Sequence, residues 1–221
     1  MSRKHIVITG TGRSGTTFLV QLLTQLGLET GFDLQEMESM NYDQNARAGL
    51  EYDIRQEGCP YVVKSPWFCD YAMEVLSRDD IRVEHVFVPI RDLYGAAESR
   101  RYVVRSDISK ASLLRRVKKK LKPSGAAGGL WHTNSLKPGR QERVLAGKLY
   151  ELMFALSDTM IPVTLMRYPK IVRDSSYLFR KLKPVLGEIC YKDFEISFRK
   201  SVRPDFVHSF NDTDYYINIL G

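Results

Sequence analysis

Nowhere does the chain hold a run approaching the roughly 20 apolar residues that cross a bilayer as a helix. No membrane-spanning helix is therefore expected. The N-terminal stretch MSRKHIVITG is basic, but its apolar run is too short for a signal peptide. A soluble, cytoplasmic protein is the expectation. Cysteine is scarce as well: Cys59, Cys69 and Cys190 are odd in number and form no C-x-x-C or metal-ligand spacing. That argues against a disulfide framework and fits a reducing compartment. His5, His85, His132 and His208 are too scattered to suggest a metal site. Internal repeats and a domain linker are also missing, so one domain is expected over all 221 residues.

What is present fits a globular chain long enough for a full core, with 43% hydrophobic and 27% charged residues. A net charge of +7 suits an anionic ligand. Nucleic acid, an acidic membrane surface and a phosphorylated cofactor all satisfy it.

The β-branched run His5-Ile6-Val7-Ile8-Thr9 reads as a buried strand. After a glycine-rich turn, Phe18, Leu19, Leu22, Leu23 and Leu26 recur at helical spacing, and Gly27 supplies a stop. Residues 28 to 58 are polar and show no clear period. Tyr61-Val62-Val63 and Val83 to Ile90 read as further strands, followed by helices over 69–77 and 93–104. The stretch from about 110 to 140 combines a basic run with PSGAAGGLWHTNSLKPG and predicts a long loop, open to a reading as a mobile lid. Beyond it a helix is expected over 141–157, a strand over 163–166 and a helix over 175–186, with an irregular aromatic tail after Tyr191. Alternating strands and helices predict an α/β fold: a central parallel sheet with helices on both faces.

Residues 10 to 17, Gly-Thr-Gly-Arg-Ser-Gly-Thr-Thr, join the first strand to the first helix. Gly10-x-Gly12-x-x-Gly15 fits a dinucleotide fingerprint, but that motif needs an early second strand ending in an acid, and GLETGFDLQEMESM contains no such strand. Gly10 and Gly15-Thr16-Thr17 also have Walker A spacing, with Thr16 where an NTPase keeps its phosphate-binding lysine. In a third reading the cation moves into the loop as Arg13. Backbone N–H groups of residues 12 to 17 then face one phosphate at the positive end of a helix, and Ser14, Thr16 and Thr17 add hydroxyls.

This third arrangement resembles the sulfotransferase superfamily, whose loop for the 5′-phosphosulfate reads Arg/Lys-Ser-Gly-Thr-Thr in many members. A second motif is similar to the family's site for the 3′-phosphate of its donor. There an arginine ends a later strand and a serine follows eight residues on, as Arg91 and Ser99 do here. Leu165-Met166-Arg167-Tyr168 resembles the family's late strand, where a tyrosine follows. The resemblance touches residues 5–27, 61–66, 83–104 and 162–187. It implies a P-loop-NTPase-like fold and transfer of a sulfuryl group from 3′-phosphoadenosine 5′-phosphosulfate to a hydroxyl. The donor would be held by Gly12, Arg13, Ser14, Gly15, Thr16, Thr17, Arg91 and Ser99.

Sulfuryl transfer needs positioning and charge stabilisation more than covalent help. Arg13 and Lys64 are the two cations expected near the bridging oxygen, Lys64-Ser65-Pro66 resembling the lysine motif of Golgi-type carbohydrate and tyrosylprotein members. Pro66 stands where cytosolic members place a histidine, which turns the expectation towards a carbohydrate or small-molecule acceptor. Glu36 and Glu38 are the preferred proton acceptors, with His132 and Asp70 as outside candidates and Trp131 as a stacking surface for the acceptor. Phe198-Arg199-Lys200 is a partial stand-in for the family's late phosphate-binding segment. Neither metal nor nucleic acid is required. Two other classes fit parts of the pattern: a P-loop kinase with a degenerate loop, and a basic nucleic-acid-binding module using the Arg115 to Lys122 run.

Overall fold

Ile6, Val7 and Ile8 are all essentially inaccessible to water, so the strand they form is covered on both sides and its sequence does not alternate. In a computed structural model, which describes residues 2–39, 49–110 and 128–207, this strand is β1 (Arg3–Ile8). It is followed by α1 (Thr16–Gln25), α2 (Leu34–Ser39), β2 (Val62–Lys64), α3 (Phe68–Leu76), β3 (Ile81–Ile90) and α4 (Leu93–Lys110). The described chain resumes with α5 (Arg140–Ser157), β4 (Val163–Arg167), α6 (Ser175–Leu182) and α7 (Tyr191–Ser201).

The strand order is β2-β1-β3-β4, and every neighbouring pair is parallel. Side-chain alternation divides the core between the two sheet faces. Ile6, Ile8 and Phe87 pack with Leu19, Leu22 and Leu23 of α1, Leu178 and Leu182 of α6, and Phe194 of α7. Val7, Val63, Val86 and Val88 pack with Phe68, Ala72 and Val75 of α3 and with Leu152 and Leu156 of α5. The expected α/β architecture, a parallel sheet flanked by helices, is thus present. Among the described residues no helix is long and apolar enough to cross a membrane.

Several boundaries differ from expectation. Helix α4 continues six residues past Val104 to Lys110, and Arg101 and Arg105 both bond to Glu98 along its middle. The segment expected to lack a period contains the short helix α2. The tail is not irregular after Tyr191: α7 occupies Tyr191–Ser201, burying Phe194, Phe198 and Ser201 at helical spacing. Helix α6 stops at Leu182 and a 3₁₀ turn, Lys183–Val185, takes over. Of the proposed lid, residues 111–127 lie outside the described residues.

The topology determines where a ligand fits. From β1 the chain steps to β2 on one side, then returns to β3 on the other. Ligands of open α/β sheets bind at such a reversal, beyond the carboxyl ends of the strands. The glycine loop leaves β1 there and Arg91 leaves β3 beside it.

Candidate oxyanion site at the strand ends

The loop after β1 is held in a shape that ordinary residues resist. Gly12 sits at φ +64° and Gly15 at φ +87°, both left-handed. At Gly12 a Cβ would lie 2.5 Å from Arg100 Nη2, and at Gly15 it would lie 3.0 Å from Ile171 Cδ1. A side chain at Gly12 would have to displace the Arg100 guanidinium, and one at Gly15 would press on Ile171. Between them Arg13 takes φ 56°, a conformation that costs a non-glycine residue about 1–2 kcal/mol. Strain of this kind survives where surrounding contacts enforce it. Helix α1 begins at once, with Gly15 as its cap, no capping side chain and no acid in its first turn. Its leading N–H groups and positive dipole end therefore face the loop without a built-in anion.

Arg91 and Ser99 meet this loop directly. Arg13 Nε donates to Ser99 Oγ at 2.9 Å, and Arg91 Nη1 donates to the Arg13 carbonyl at 3.3 Å. The Arg91 guanidinium also lies 5.1 Å from the centre of the Tyr168 ring. Burial lowers the Arg91 pKa, opposed by Tyr168 and Asp92. Burial likewise raises the Tyr168 hydroxyl, while Arg91 and Arg13 pull it down. The late-strand tyrosine, Tyr168, thus lines the site, a role that its motif alone does not assign.

Lys64 closes β2 and reaches the same cavity almost fully buried. Its Nζ donates to Thr17 Oγ1 at 2.7 Å, to Glu51 Oε1 at 2.8 Å and to the Gly49 carbonyl. Desolvation lowers its pKa; Glu51 acts in the opposite direction and Arg13 reinforces the fall. Glu51 Oε1 also accepts from the Gly49 N–H at 3.1 Å. Both of these bonds fall on one oxygen of the carboxylate.

These groups surround a cavity of about 200 Å³. Gly12, Arg13, Gly15, Thr16 and Thr17 line it from the loop, Lys64 from β2, Arg91 from beyond β3 and Ser99 from α4. Arg100 and Arg203 add two cations, and Glu51 is the single acid among its described lining residues. Ser14 is placed differently: it is fully buried, lies outside the lining, and its Oγ has no partner among the described residues.

Other expectations fall elsewhere. The backbone around Glu36 and Glu38 forms α2, but both side chains lie outside the described residues. Trp131 does not line the cavity. It packs on Ala96, Ala97 and Leu145 under the Arg100 guanidinium, so it builds the wall's support and offers no stacking face there. His132 lies 3.3 Å from Asp70, which also pairs with Lys148 at 2.7 Å, away from the lining. Arg199 is on the exposed side of α7, paired with Glu195 at 2.8 Å; Ser201 and Arg203 face the cavity in place of Arg199 and Lys200.

Glu51, Arg100 and Arg203 are site residues that sequence spacing does not reveal. Among the described residues no group of three or more His, Cys, Asp or Glu could hold a metal ion. A scan against protein-family models finds no match, and a search of curated proteins finds none.

Proposed function

We propose that the chain is a sulfotransferase of P-loop-like α/β form, using 3′-phosphoadenosine 5′-phosphosulfate and a hydroxyl acceptor. The observation that carries this reading is the direct contact of two motifs 86 residues apart, Arg13 Nε to Ser99 Oγ, with Arg91 bonded to the same residue. A phosphate loop alone suits many nucleotides. A second arginine–serine pair at the neighbouring strand end suits a ligand with a second phosphate. The residues fit such a donor chemically, since among the described residues five cations and one carboxylate line the cavity and a polyanion balances that excess.

The bound donor would supply the activated sulfuryl group. Loop N–H groups, Thr16 and Thr17 would orient its phosphosulfate, while Arg91 and Ser99 would hold the 3′-phosphate. Arg13 and Lys64 would neutralise charge developing on the leaving phosphate oxygen, the electrostatic term that dominates such transfers. Glu51 has the place and chemistry to take the acceptor's proton. It lines the cavity beside Lys64, both of its hydrogen bonds engage Oε1, and a carboxylate in reach of a hydroxyl is a competent base. Glu36 and Glu38 remain the alternatives on α2. A carbohydrate acceptor is the preferred class, following the proline at position 66.

A kinase is less well supported. Asp92, the nearest candidate metal ligand after a strand, uses Oδ1 to accept the Gly95 N–H and so caps α4. Transfer of radiolabelled sulfuryl to a panel of hydroxyl acceptors tests the proposal. Turnover that disappears in a folded Lys64→Met variant is expected; an inert donor, neither transferred nor hydrolysed despite saturating binding, would leave only a binding module.

A further inference from the structure

Two adjacent arginines of α4 are buried in opposite electrostatic surroundings. Arg101 is fully buried and meets Glu142 through two bonds, at 2.6 and 3.1 Å, and Glu98 at 2.7 Å. Arg100 is 7% exposed, yet no described carboxylate touches it. Its Nη1 donates to the Gly129 carbonyl and its Nη2 to the Thr11 carbonyl, both at 2.7 Å. Its Nε has no partner among the described residues. The charge acting on it is that of Arg13, and with burial as the larger cause its pKa falls to about 10.

A buried ion is normally paired, because desolvation without a counter-charge is costly. Arg100 has no such partner among the described residues but lines the cavity against Gly12, where a Cβ would collide with it. The same loop carries two more buried polar atoms without partners among the described residues, Thr11 Oγ1 and Ser14 Oγ. By engaging the Thr11 carbonyl, Arg100 also masks an oxygen whose negative end would repel an anion in the loop.

We propose that Arg100 is an oxyanion-binding group of this loop, and that a bound phosphate or sulfate moiety is its missing counter-ion. This rests on the loop being an anion cradle, as in the proposed function, but not on sulfuryl chemistry. Arg100 acts through its charge and through the Thr11 carbonyl it holds.

Inorganic phosphate is the simplest probe. Thermal unfolding at constant ionic strength, balanced with sodium chloride, reads binding to the folded state as a rising midpoint. Wild type should be stabilised by phosphate beyond chloride. Arg100→Met should weaken the apparent phosphate affinity by at least about tenfold, since it removes a buried charge beside the loop together with the charged hydrogen bond that holds the Thr11 carbonyl. Arg100→Lys, which keeps the charge, should recover much of it. Arg105→Met, on the exposed part of the same helix, should stay within about twofold, the small effect expected of an exposed charge. Should Arg100→Met fail to fold, the side-chain Nε–H resonances of the wild type decide: phosphate should shift that of Arg100 and leave that of Arg101 in place. Unchanged affinity in Arg100→Met, or a stationary Arg100 signal at saturating phosphate, overturns the assignment. Phosphate binding through Arg100 without any binding of 3′-phosphoadenosine 5′-phosphate would preserve it and sink the sulfotransferase reading. Bisphosphate binding equal in wild type and Arg100→Met would sink this assignment alone.

Discussion

Truncating Arg91 to alanine separates the two halves of the proposed donor site. The side chain is about 5% exposed and bonds the Arg13 carbonyl at 3.3 Å. In the proposed complex it also meets the 3′-phosphate. Losing a hydrogen bond to a charged group costs about 1.5–3 kcal/mol, or about 10- to 150-fold in affinity for 3′-phosphoadenosine 5′-phosphate at 1.4 kcal/mol per tenfold. Adenosine 5′-phosphate lacks that phosphate and feels only the loosened Arg13 carbonyl. An ordinary hydrogen bond is worth about 0.5–1.5 kcal/mol, so its loss should be about 2- to 13-fold. Calorimetric titration of wild type and Arg91→Ala with both ligands gives the comparison, with circular dichroism to verify folding. Equal losses for the two ligands would refute the assigned role, since Arg91 would then only support the loop.

Glu51→Gln should lower kcat by about 10²–10⁴, the range for removing a general base, while bisphosphate affinity measured by calorimetry changes far less; an unchanged kcat returns the role to α2. Glu142→Ala leaves fully buried Arg101 with Glu98 alone, and urea unfolding should register a loss of about 1.5–3 kcal/mol, the scale of a lost hydrogen bond between charged groups. A loss below about 1 kcal/mol, the surface-pair value, would contradict that burial argument. Cys190 is exposed, whereas the half-buried Cys69 thiol is pushed up to about 12, mainly by burial and then by Asp70. Its thiolate grows as pH approaches that value, so at pH 8 its thiolate fraction is on the order of one in ten thousand. Iodoacetamide followed by peptide mapping should find Cys190 modified first and Cys69 last.

The parallel sheet and the loop were legible because their signals are local. Ile6 to Ile8 form an uninterrupted apolar run, and Gly12 and Gly15 mark left-handed turns that few other residues tolerate. The spacing of Arg91 and Ser99 was equally visible, and their meeting with Arg13 follows once β1 and β3 pair. Glu51 was not legible. It lies in a stretch without a period, and its importance comes from Lys64, thirteen residues further along at the end of β2. The tandem Arg100-Arg101 shows the limit most clearly. The two residues are identical in type, and only folding brings Glu142 of α5, beside Glu98, onto Arg101 and leaves Arg100 without a carboxylate among the described residues. Trp131 misled for the converse reason: an aromatic beside glycines reads as a binding surface until Ala96, Ala97 and Leu145 are found against it.

The proposed activity depends above all on a second phosphate being recognised. Parallel calorimetric titrations with 3′-phosphoadenosine 5′-phosphate and with ATP–Mg²⁺ test this most directly. Binding of the bisphosphate well ahead of ATP–Mg²⁺ is expected from the Arg13, Arg91 and Ser99 cluster. Tight binding of ATP–Mg²⁺ with none of the bisphosphate would contradict it.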